Sequence, residues 1–129
     1  MIHKGFTPYH RAIGRIAAWS VFVLDIVYVI TTILGFISLK SPQEPIGDPY
    51  FTIMELLAII ISLLMVISMV IVHAYALPES KAYSLTALSL MIMMACVTSS
   101  VHFVILAVSR QIEVVGSAWA PFIFSFKWP

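Results

Sequence analysis

Four ionisable side chains stand inside long apolar runs of this sequence: Asp25, Glu55, His73 and His102. A carboxylate and an imidazole held together can bind, share or relay a proton, and that is the chemistry to ask of this set. Buried within a bilayer span, an ionised carboxylate costs ~3 kcal/mol or more. Asp25 is therefore expected to be protonated, paired, or turned toward a polar interior. Depth decides which groups can meet. If successive apolar runs are antiparallel helices, Glu55 and His102 both lie toward one side, Asp25 near the middle and His73 toward the other side. Glu55 and His102 can then pair across two helices. The simpler reading leaves each as an isolated interfacial or hydrogen-bonded side chain, with Glu55 favoured by the dipole at the start of its own helix.

Other chemistries fit the spacing less well. A haem held by two histidines needs them within about 10 Å on opposite faces of the ring. His73 and His102 are offset by about sixteen residues along an antiparallel pair, ~24 Å at the helical rise. Met65, Met69, Met91, Met93 and Met94 supply the soft thioethers that copper(I) prefers, but methionine is also ordinary apolar filling. The lone Cys96 reads as a small buried hydrophobe. Thr98, Ser99 and Ser100 stand near His102 on one apolar run that lacks an acid, so they read as hydroxyls bonded to helix carbonyls or to a neighbouring helix. The sequence calls for no metal, no cofactor and no catalytic set.

These groups must be positioned by membrane helices. Of the 129 residues, 61% are hydrophobic and 10% charged, against about 25% charged in soluble domains. A soluble chain this short could not hide so much apolar surface. The net charge of +1 gives no case for a nucleic-acid partner. Residues 1–15 form a basic lead (Lys4, Arg11, Arg15) in which Thr7-Pro8 is an N-cap followed by proline. His3 and His10 are expected in water. Residues 16–39 are a first span, too long for a signal-peptide core, with Trp19 at its edge and Thr31/Gly35 as a close-packing pair. Asp48-Pro49 starts a second span over 52–76, which ends at Leu77-Pro78. The short PESK linker returns the chain as a third span over 82–108, with Ser80 as its expected cap. Ala58/Ser62 and Ala95/Ser99 are expected contact faces between the second and third spans. Residues 111–129 read as an aromatic-rich interfacial segment (Phe122, Phe124, Phe126, Trp128). The fold class is all-α: three antiparallel transmembrane helices. Four cations on the side of the N-terminus against three on the other lean toward a cytoplasmic N-terminus.

At DPYFTIMELL, VHAYALPESKAYSLTAL and TSSVHFVILAVSRQ the chain resembles a family of uncharacterised multi-pass prokaryotic integral membrane proteins, from about Arg11 onward. Members of that family continue past an FKWP-like stretch with further membrane helices, so the resemblance implies that this chain is the N-terminal part of a larger bundle. The family has no established activity, and no residue inherits a role from it. With the lipid bilayer as solvent and three helices too thin to shield Asp25 and Glu55, further transmembrane helices are the expected partners, from missing sequence or another subunit. The leading expectation is a non-enzymatic integral membrane protein, or the first part of one. A proton-coupled transporter using Asp25 and the Glu55/His102 pair is the second, and a membrane-embedded enzyme or redox subunit the third.

Overall fold

The computed structural model describes residues 7–41 and 46–115, with side chains through residue 108. Three helices fill that range: α1 (Pro8–Ile37), α2 (Tyr50–Tyr75) and α3 (Lys81–Val115), with a single 3₁₀ turn at Pro78–Ser80. No strand occurs among the described residues. His3, Lys4 and the aromatic residues from Phe122 onward lie outside them.

Each helix starts and stops where local chemistry requires. Thr7 is extended and accepts from the His10 N–H through its hydroxyl, while His10 Nδ1 accepts from the Thr7 N–H at 3.1 Å. This is a reciprocal capping box with imidazole in the place usually held by Glu or Gln. His10 is thus half-buried in an exposed cap at the helix start. Asp48 marks the start of α2 by accepting from the Thr52 N–H at 3.3 Å, and from its hydroxyl. Pro49 immediately precedes the helix. At the far end, Leu77-Pro78 halts α2 and the 3₁₀ turn reverses the chain. Ser80, expected to cap α3, closes that turn instead through its backbone N–H to the Leu77 carbonyl at 2.9 Å. The Lys81 ammonium donates to the carbonyl of His73 at 2.9 Å, satisfying one of the orphan acceptors at the end of α2. α3 runs past the expected end at residue 108 to Val115. Hydropathy falls off near Arg110, but a helix is held by its backbone hydrogen bonds and does not need apolar side chains to continue. The first part of the expected interfacial segment, 111–115, is therefore helix.

α2 occupies the middle. It packs against α1 on one side and α3 on the other, while α1 and α3 hardly touch. Small residues set the first contact. A Cβ on Gly14 would come within 2.7 Å of Ile71, and one on Gly35 within 2.9 Å of Ile46 and 3.4 Å of Tyr50. These approaches fix one antiparallel register, in which position 25 of α1 is level with position 60 of α2. Ala17, Thr31 and Gly35 are buried on the same stripe. On α3 the inward stripe is Ser84, Leu88, Met91, Ala95, Ser99 and His102, spaced three or four apart.

The only buried apolar side chains among the described residues are Ala17, Leu57 and Ala95. Phe22 is 56% exposed and Phe103 63%. In water such surface would force aggregation; in hydrocarbon it faces its own solvent. All three helices are long and apolar enough to cross a membrane. At ~1.5 Å per residue each exceeds a hydrocarbon core of ~30 Å. The chain is a membrane-spanning helical bundle.

Candidate functional site

Glu55 lies in the second turn of α2, and His102 lies about six turns along α3 from the hairpin. Folding α3 back through the short turn brings them to the same level. His102 Nδ1 stands 2.6 Å from Glu55 Oε2, a short hydrogen bond between imidazole and carboxyl group. Side-chain exposure is 11% for Glu55 and 27% for His102. The other ring nitrogen of His102 has no protein partner among the described residues. The two groups that depth allows to meet are thus in contact, where the simpler reading leaves each isolated.

The pair is the top rung of a polar ladder between α2 and α3. Seven residues along α2, Ser62 Oγ is 3.1 Å from Ser99 Oγ and donates to the Ile59 carbonyl at 2.8 Å. Ser99 must therefore be the donor between the two hydroxyls. Eleven residues further, His73 Nδ1 is 2.8 Å from Ser84 Oγ. Steps of seven and eleven residues are close to two and three helical turns, so all three rungs fall on one face. Hydroxyls that do not cross between helices bond back to their own carbonyls: Thr31 to Val27, Thr32 to Tyr28, Ser68 to Leu64. The Ser62–Ser99 rung matches the small-residue contact faces expected from sequence. The His73–Ser84 rung has a signal only in the tightness of the PESK linker, which fixes which α3 residues lie opposite the end of α2.

Of the three expectations for Asp25, two are not met within these helices: it pairs with none of the other three groups, and it is not turned inward. It is exposed on the side of α1, among Phe22, Ile26 and Val29. No hydrogen bond or ion pair reaches it from the described residues. The reason is geometric. A helix can lay only one stripe, about 100° wide, against one neighbour. On α1 the small residues Gly14, Ala17, Thr31 and Gly35 take that stripe, and position 25 falls outside it. Asp25 sits seventeen residues from the start of α1 and twelve from its end, near mid-span by helical rise.

Two apolar-run residues also face outward. Cys96 is exposed rather than buried. Met93 is 63% exposed, away from Met65 and Met69 on α2. The inward stripe of α3 runs through Met91, Ala95 and Ser99, and positions 93 and 96 fall outside it. His73 and His102 stand at opposite ends of the α2–α3 hairpin, each engaged by a different partner. No group of three or more His, Cys, Asp or Glu side chains positioned to hold a metal occurs among the described residues.

Chemically, the Glu55–His102 pair can hold one proton between a carboxylate and an imidazole, and can lock α2 to α3. Ser99, one turn from His102, is already engaged by Ser62, so it is not presented to the imidazole as a nucleophile. No family model, curated protein or solved structure matches the chain.

Proposed function

We propose that this chain is a non-enzymatic, membrane-spanning component of a larger helical assembly in a prokaryotic cell membrane, with its N-terminus in the cytoplasm. The observation that carries the reading is Asp25: a carboxylate at mid-span, outward-facing, with no partner among the described residues. Facing hydrocarbon it would cost ~3 kcal/mol or more if ionised. Covered by further helices it need not. The resemblance to multi-pass membrane proteins with additional helices points the same way. The interhelical polar groups favour a scaffold role, since each pair ties α2 to α3. Extraction of the chain from its native membrane in mild detergent, followed by native mass spectrometry, tests the reading. It predicts particles well above the mass of the single polypeptide found in that membrane. Particles of one chain alone would reject it.

The Glu55–His102 pair favours a second reading, proton transfer across the membrane. It is a carboxylate–imidazole pair inside a span, with one imidazole nitrogen left open. Liposomes holding the chain and a pH-sensitive dye should then collapse an imposed pH gradient, and Glu55→Gln should abolish that collapse. Gradient decay equal to that of empty liposomes would dismiss transfer and leave the pair as a helix clamp.

A further inference from the structure

The assembly reading leaves open what covers Asp25. We propose that the outward stripe of α1 centred on Asp25 docks a transmembrane helix of another chain that presents a lysine or arginine at the depth of Asp25.

The inference rests on the assembly reading and adds the chemistry of the partner. Arg11, Arg15, Ala18, Phe22, Asp25 and Val29 follow at spacings of three or four and are all exposed, so they form one continuous face. That face has a charge pattern: two guanidinium groups near the helix start and one carboxylate at mid-span. It also has relief. Trp19 and Phe22 meet edge to face at 5.9 Å. With Ala18 they line a shallow apolar hollow of about 250 Å³, one turn from Asp25. A packed side chain of a neighbouring helix fits such a hollow.

A carboxylate in hydrocarbon is best satisfied by a cation that also donates hydrogen bonds. The described side chains of this fold do not supply one at that depth. Arg11 and Arg15 stand in the first two turns of α1, at least ten residues before Asp25, Lys40 lies beyond the end of α1, and Lys81 starts α3 and reaches the His73 carbonyl. His102 is engaged by Glu55 and His73 by Ser84. A second copy is a poor match. Chains inserted in one orientation pair about an axis along the membrane normal. That symmetry sets Asp25 against Asp25 and Arg15 against Arg15. A helix of different sequence with a mid-span cation has neither conflict.

The test uses the chain in phospholipid bicelles, donor-labelled, with acceptor-labelled polyleucine helices carrying a central Lys, a central Asn or neither. Energy transfer should show the Lys helix binding about tenfold more tightly than the other two, the scale expected for a polar contact between helices in lipid. Asp25→Asn should remove that preference, and Asp25→Lys should transfer it to a helix with a central Asp. Because Asp25 faces outward, both variants should keep the wild-type helix content by circular dichroism. Equal binding of all three helices overturns the proposal. So does a Lys preference that survives Asp25→Asn, or self-association of the wild-type chain that depends on Asp25. Large native particles together with no Lys preference would discard the cation and leave the assembly standing. Single-chain particles from the native membrane would reject the assembly whatever the peptides do.

Discussion

Glu55 and His102 are the two side chains whose loss the bundle should feel most. Each is held by the other at 2.6 Å, so truncating one strands its partner in a nearly dry interface. Glu55→Ala and His102→Ala should each lower stability by about 1–3 kcal/mol. The double variant should fall short of the sum by about 0.6–1.7 kcal/mol, the range seen for polar pairs between membrane helices. Unfolding in mixed micelles measures both, and strictly additive losses would mean that the contact does not form. That this pair could form was legible in the sequence, because linker length sets register and register sets depth; which helix faces meet was not. Asp25 shows what depth leaves out. Continuing the Thr31/Gly35 stripe back along α1 passes through positions 28, 24, 21, 17 and 14 and misses 25. The facing of Asp25 was therefore written in the small residues around it, which depth alone does not reflect.

At the scale of elements, α1 lies close to α2 because Gly14 and Gly35 have no side chain. Gly14→Leu should drive α1 away from Ile71, whose Cγ2 would stand 2.7 Å from a new Cβ. A loss of about 1–3 kcal/mol is expected, and Ile71→Ala should recover part of it. No recovery would place the damage elsewhere than this contact. The α2–α3 register can be locked directly. In a Cys96→Ser background, Ser62→Cys with Ser99→Cys should oxidise to an intrachain disulfide, since the two hydroxyl oxygens are 3.1 Å apart. Failure to crosslink would contradict the ladder. Helix starts were readable from Thr7-Pro8 and Asp48-Pro49, and the turn from Leu77-Pro78, because capping and proline sterics are local effects. The end of α3 was less readable. Hydropathy reports where lipid ends, whereas the helix continues through Val115.

Across the whole molecule, polar groups are sorted by face. The α2–α3 interface holds the acid–imidazole pair, a serine pair and a histidine–serine pair. The α1–α2 interface is built on glycine and alanine. The outer face of α1 carries arginines near one end, an apolar hollow, and a mid-span carboxylate. Composition made the membrane unmistakable, since 61% hydrophobic residues cannot be hidden by three helices. It could not reveal that α2 is central, because that follows from which stripes are small enough to pack. The central claim is that the Asp25 face is covered by another helix in the native membrane. A photo-crosslinking phenylalanine analogue at Phe22, one turn from Asp25 and itself exposed, tests it most directly. Irradiation of intact membranes should yield a protein adduct whose yield drops sharply when Asp25→Asn is added, while the same analogue at Phe103 on α3 ignores that change. Lipid adducts alone at position 22, with Asp25 intact, would contradict the account.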